Sequence, residues 1–151
     1  ARRQGQPLGI IMMDLDHFKD VNDIYGHEAG DRVLRQFAKT VTHALREANV
    51  AARFGGEEFV VVLPETLPQG CMLVAERIRK AVERMVVPSG SERPLPPLTV
   101  SLGIAVYPEH GQGLEELLQA SDKALYESKR AGRNRSTLYV PQEEPASRIG
   151  A

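Results

Sequence analysis

The chain predicts an α/β (α+β) domain with a central mixed, mostly antiparallel sheet flanked by helices. Three observations carry that expectation. Short apolar runs of strand length alternate with longer stretches whose apolar residues recur every three or four positions, the two periodicities that separate strands from amphipathic helices. Two of the short runs are separated only by Gly55-Gly56, which makes them antiparallel neighbours in a hairpin. Finally, 151 residues, 42% of them hydrophobic, suffice for one well-filled core and are too few for two ordinary ones.

The elements follow in order. Leu8 to Met13 is an apolar run that ends abruptly at Asp14, so a buried strand delivers a carboxylate at its C-terminal tip. Asp16 is placed to cap a short helix running through Tyr25, with Gly26 as its stop. From Gly30 onward, Val33, Leu34, Phe37, Val41, Ala44 and Leu45 recur at helical spacing, giving an amphipathic helix of about four turns. Val50 to Phe54 and Glu57 to Leu63 form the hairpin, whose two-residue turn calls for positive φ and hence glycine. Cys71, Val74, Ala75, Ile78, Val82 and Met85 mark a third helix bounded by Pro68 and Pro88. PSGSERPLPP then reads as a loop and LTVSLGIAVY as a strand. Leu114, Leu117, Leu118, Ser121 and Leu125 define a last helix that stops near Gly132, and Ser136 to Val140 close as a final strand. The domain is thus expected over 1–140, with 141–151, which lacks periodicity, as a flexible tail.

Composition narrows the function. A net charge of -1 provides no basic field for nonspecific nucleic-acid binding or for direct membrane contact, so any phosphate binding must be local. The single cysteine, Cys71, lies on the apolar repeat of its helix; it has no intrachain disulfide partner and reads as a packed thiol suited to a reducing compartment. No apolar run approaches the roughly 20 residues a spanning helix needs, and the start ARRQGQPLG lacks the apolar segment of a signal peptide. A soluble, cytoplasmic domain is expected, with any membrane anchor belonging to an upstream part of a longer parent protein.

Two carboxylates stand at the mouths of apolar strands. Asp14 ends the first, and Glu57 adjoins the hairpin turn beside Glu58, which an extended strand would aim to the opposite face. If the two strands are neighbours, Asp14 and Glu57 form an anionic cup, and hard cations such as Mg²⁺ take one or two carboxylates together with phosphates and water. Each residue also has a plainer reading. Asp14 and Asp16 can cap the following helix, and Glu57 and Glu58 can be solvated hairpin residues. Lys129 and Arg133, four apart around the end of the last helix, either hold terminal phosphates or only complement the helix dipole. Asp31 can merely begin the second helix, and Asn22 can be an exposed helix residue. DLDHFKDVNDIY puts Phe18 and Lys19 where a calcium loop needs an oxygen ligand and a glycine, and no GxxxxGKS or GxxxxGKT loop occurs, so neither scaffold applies.

GGEEF at Gly55 to Phe59, DLDHFKDVNDIYGHEAGD at Asp14 to Asp31, VSLGIAVYP and SDKALYESKRAGRNR together resemble the GGDEF domain of bacterial diguanylate cyclases, in the right order over nearly the whole chain. The resemblance implies a fold similar to nucleotidyl cyclases and polymerase palms. It implies a nucleotidyltransferase that condenses two GTP into cyclic di-GMP and two pyrophosphates with Mg²⁺ or Mn²⁺. Carried onto this sequence, it makes Asp14, Glu57 and the Leu15 carbonyl metal ligands, with Glu58 as a further metal contact or an orienting group. It sets Gly55 and Gly56 against the nucleotide, Asn22 and Asp31 on the guanine edge, and the Phe18 and Lys19 backbone with Lys129 and Arg133 on the β and γ phosphates. An acid at Asp31 implies a preference for GTP. Each such domain holds one GTP, so turnover implies a face-to-face homodimer, commonly driven by an upstream sensory domain. A silent module, binding GTP or dimerising as a regulatory domain, is the alternative; intact Asp14, Gly55, Gly56, Glu57, Lys129 and Arg133 weigh against it.

Two departures stand out. The family's product-inhibition motif, RxxD, is here REAN, Arg46 to Asn49, so feedback by cyclic di-GMP is expected to be weak or absent. The DxLTGLxNRR segment that usually opens the domain is replaced by ARRQ, and the chain is read as a catalytic module from a longer sensor protein.

Overall fold

A computed structural model describes residues 5–88, 90 and 94–141. Its elements are β1 (Leu8–Leu15), α1 (Phe18–Tyr25), α2 (His27–His43), β2 (Val50–Arg53), β3 (Glu58–Pro64), α3 (Pro68–Glu83), β4 (Val100–Tyr107), α4 (Leu114–Arg130) and β5 (Ser136–Leu138). The strands form one sheet in the order β2-β3-β1-β4-β5. Neighbours pair antiparallel except β4 and β5, which are parallel. The mixed, mostly antiparallel sheet expected from the sequence is therefore present.

Both faces of the sheet are covered, which is why β1 is a continuous apolar run. Ile11, Met13 and Leu15 turn toward α2 and α3, where Phe37, Val41, Cys71 and Ile78 are fully buried. Ile10 and Met12 turn the other way onto Leu117, Ala120 and Leu125 of α4. Burying each large side chain contributes roughly 1.5–3 kcal/mol. Phe37 meets Phe59 edge-on at 4.8 Å between ring centres, tying α2 to the hairpin strand.

Helix α4 lies directly on β4. A Cβ at Gly103 would come within 2.2 Å of Leu125 N and Ser121 O, so only glycine permits this approach. In the last turn of α4, the buried Ser128 hydroxyl donates to Leu102 O at 2.7 Å and shares a 2.6 Å hydrogen bond with Thr137 Oγ1. These contacts fix the helix in register and hence fix the position of Lys129.

Several local expectations need correction. Asp16 does not cap α1: the cap position belongs to His17, at φ 59°, which makes no side-chain capping hydrogen bond. α2 starts at His27, so Gly30 and Asp31 lie inside the helix rather than at its start. The hairpin turn is wider than two residues, since β2 ends at Arg53 and β3 begins at Glu58; neither Gly55 nor Gly56 has positive φ. Arg53 Nε closes that turn by donating to Gly55 O at 3.1 Å and Gly56 O at 2.9 Å. β5 ends at Leu138, two residues early, and Leu114 is exposed at the start of α4. Of the expected tail, 142–151 lies outside the described residues.

Candidate functional site

Four chain segments converge at one end of the sheet's central strand. β1 ends there, α1 starts there, the β2–β3 turn folds over, and α4 finishes alongside. Asp14 pairs across the sheet with Glu58 on one side and Ser101 on the other, so its position is set from both neighbours. The segments enclose a cavity of about 210 Å³. Asp14, Leu15 and Asp16 line it from the strand end, His17 to Asp20 from the start of α1, Glu57 from the turn, Lys129 from the end of α4 and Arg133 from the loop after it. Seven expected site residues (Asp14, Leu15, Phe18, Lys19, Glu57, Lys129, Arg133) thus share one cavity.

Its electrostatics are those of crowded acids. Asp14 is buried; Oδ2 accepts from Lys129 Nζ at 2.6 Å, while Oδ1 has no hydrogen-bond partner among the described residues. A buried carboxylate oxygen without a partner is costly, and a bound cation would satisfy it. Burial pushes the Glu57 carboxyl above its ordinary range; the closeness of the Asp14 carboxylate adds to the rise, and Lys129 opposes it. Glu58 is raised by burial first, then by Asp14 and by Asp122 on α4, again against Lys129. Among the described residues no group of three His, Cys, Asp or Glu side chains is arranged to hold a metal. Two carboxylates plus a backbone carbonyl nevertheless fit an ion such as Mg²⁺, which retains water and shares phosphate oxygens rather than requiring a full protein cage.

The start of α1 suits phosphate. The first N–H groups of a helix have no acceptor within it, and Phe18 and Lys19 open α1 at the cavity. Arg133 lies at φ 65°, between Gly132 at 124° and Asn134 at 48°, a left-handed turn that brings the chain back after α4.

The remaining expected residues lie outside this cavity's lining. Asn22 lies against α2: a Cβ built on Gly30 would stand 1.9 Å from Asn22 Oδ1, with Asp31 next in the chain and exposed. Gly56 has no atom near the space a Cβ would fill and Gly55 only the Glu58 side chain, so the turn's surface is open. Arg46 and Asn49 sit on a turn before β2, closed by Asn49 N–H donating to Arg46 O at 3.0 Å.

Sequence reasoning missed Asp122 and the role of Asp16. The Asp16 carboxylate, 4% exposed, accepts from Ser101 Oγ at 2.7 Å, Thr99 Oγ1 at 2.6 Å and the Asn134 backbone N–H at 3.1 Å. A serine within the apolar run of β4 is the one local signal of that network. Among the described residues no helix is long and apolar enough to cross a membrane.

A family model described as "Diguanylate cyclase, GGDEF domain" matches residues 1–135. Diguanylate cyclase A of Treponema denticola is 45% identical over 133 residues, covering 88% of this chain and 35% of that protein. Response regulator PleD of Caulobacter vibrioides is 37% identical over 130 residues, covering 86% and 29%. The chain thus spans about a third of the length of these relatives. Among solved structures, the active GGEEF domain of a diguanylate cyclase from Vibrio cholerae superposes with a TM-score of 0.85 at 33% identity, covering 94% of this chain and 88% of that one. The GGDEF domain of DgcB from Caulobacter crescentus, in complex with c-di-GMP, gives 0.84 at 34%, covering 91% and 81%.

Proposed function

The chain belongs to the GGDEF family of diguanylate cyclase domains, and from that premise we propose that it condenses two GTP molecules into cyclic di-GMP. In this reading each 3′-oxygen bonds to the α-phosphorus of the other nucleotide, each α–β phosphoanhydride bond breaks, and two pyrophosphates leave. The observation that carries the reading is the cavity in which Asp14 and Glu57 face Lys129, Arg133 and the start of α1.

The chain's own residues divide the work. Asp14, Glu57 and the Leu15 carbonyl would hold a divalent cation, Mg²⁺ or Mn²⁺. When bound, the ion supplies positive charge for the departing pyrophosphate and lowers the pKa of the attacking hydroxyl. Lys129 and Arg133 hold the terminal phosphates, the first as a point charge and the second as a planar fork. The Phe18 and Lys19 N–H groups add donors that need no reorganisation. Glu58, held above its usual range beside Asp14, orients this acidic wall. Asn22 and Asp31 form the base-reading edge, where a carboxylate accepts from both the ring N–H and the amino group of guanine. The open surface at Gly55 and Gly56 leaves room for the nucleotide.

We further assign catalysis to a face-to-face homodimer, under the control of a sensory domain in a longer parent protein on the cytoplasmic side. Weak or absent product inhibition follows from Asn49, which lacks the charge that would orient Arg46. Incubating the purified chain with GTP and Mg²⁺ and separating the nucleotides tests the whole reading: cyclic di-GMP and pyrophosphate should appear in a one-to-two ratio. GTP bound without product would assign the chain to the silent, GTP-binding class instead.

A further inference from the structure

We propose that Asp16 is a positioning residue for Arg133, holding the loop after α4 so that this arginine faces the cavity. The inference rests on the reading of Arg133 as a phosphate-holding group and deepens it.

The Asp16 carboxylate is fixed to the sheet. Its two oxygens take hydroxyl hydrogen bonds from Thr99 and Ser101, and its backbone N–H donates to Thr99 O at 2.9 Å. Its remaining bond runs to the loop, through the Asn134 N–H at 3.1 Å. The Arg133 N–H closes the end of α4 by donating to Ser128 O at 2.9 Å, and the Asp16 bond holds the next residue. Gly132, Arg133 and Asn134 all lie at positive φ, and two of them carry side chains in a region that L residues rarely adopt.

Helix α3 clamps the same residue from the other side. Arg79 Nη1 donates to Asn134 Oδ1 at 3.1 Å, and Asn134 Nδ2 donates to Glu83 Oε2 at 2.7 Å. Arg79 is itself held by two bonds to Glu76, at 2.9 and 2.8 Å. Asn134 is therefore gripped at its backbone by Asp16 and at its side chain by α3, and Arg133 is the residue just before it.

Charge alone predicts the opposite effect. A carboxylate lining a phosphate cavity repels its ligand, so deleting it would tighten binding; a positioning role predicts weaker binding. Role and charge are separable by two variants. Asp16→Ala removes every acceptor, whereas Asp16→Asn keeps one oxygen for the Asn134 N–H and can turn its amide nitrogen to a hydroxyl.

The test uses the chain with Mg²⁺ and compares α,β-methylene GTP, which cannot be cleaved at the reacting bond, with GMP, which lacks the β and γ phosphates. Asp16→Ala should weaken the GTP analogue about tenfold, Asp16→Asn by less than about threefold, and neither should change GMP. Combined with Arg133→Ala, Asp16→Ala should add no further loss. The loop is read directly by hydrogen exchange, where the Asn134 amide should lose protection in Asp16→Ala while the central strands keep theirs. Unchanged Asn134 protection, equal losses for GMP, or strictly additive losses overturn the proposal. An Arg133→Ala chain that binds the GTP analogue normally would instead sink the phosphate reading, and Asn134 protection would still decide the positioning role. Should Asp16→Ala fail to fold, Asn134→Gly, which keeps the turn's φ and loses the α3 clamp, is expected to weaken the analogue and spare GMP.

Discussion

The acidic wall shows how a single residue is held against its own preference. Glu57 is raised by burial and by Asp14, so the folded state binds its proton more readily than the unfolded chain does. A carboxyl raised in this way contributes stability below its ordinary value of 4.5 and loses it as the pH climbs through the folded-state pKa. At neutral pH the charged group therefore opposes folding. Glu57→Gln should abolish turnover yet melt at a higher temperature than the parent at pH 7 without divalent ions, with the gap closing below about pH 4.5. Equal melting temperatures at pH 7 would count against the crowding of Glu57 and Asp14. Arg46 and Asn49 pose a second question at this scale. Asn49→Asp restores the missing charge beside an exposed arginine, so added cyclic di-GMP should slow initial rates in the variant and leave the parent nearly unaffected. Strong inhibition of the parent would refute the assignment.

Among the elements, α4 carries the heaviest constraint, because it brings Lys129 to Asp14 while resting on bare backbone at Gly103. Gly103→Ala must push the helix off β4. A cost of about 1–3 kcal/mol or more in urea unfolding is expected, as for other overpacked cores. Loss of affinity for GTP should accompany it, since Lys129 moves with the helix; an unchanged unfolding midpoint would contradict the close approach. Element existence is legible in the sequence because each helix and strand writes its own period, from Val33 to Leu45 or from Cys71 to Val82. Asp14 is legible for a similar reason: an apolar run that stops at an acid marks a strand end. Asp16 is not, because its hydroxyl partners lie 83 and 85 positions away and no local pattern reports them. The turn geometry at Gly55 and Gly56 is equally hidden, since two glycines satisfy a wide turn as readily as a tight one, and here Arg53 selects the wide one. Asn22 and Asp31 are individually ordinary helix residues; what brings Asn22 against α2 is the packing of α1 at Gly30, which spacing alone does not report.

At the scale of the whole molecule, the proposed reading gives one domain one nucleotide's worth of metal ligands and phosphate cations. If two such domains must meet, specific activity should rise with protein concentration and level off as the dimer saturates. Activity per chain that stays flat on dilution would argue for catalysis within one domain. The pairing of Asp14 with Lys129 has one more consequence. Its partners are 115 positions apart in the chain, one from the first strand and one from the last helix. A copy lacking α4 keeps the acid without its counterion, and on the proposed reading it should bind the GTP analogue more weakly than the intact domain. The first strand and the last helix are thus tied by charge, and on the proposed reading the site is complete only when that helix is seated.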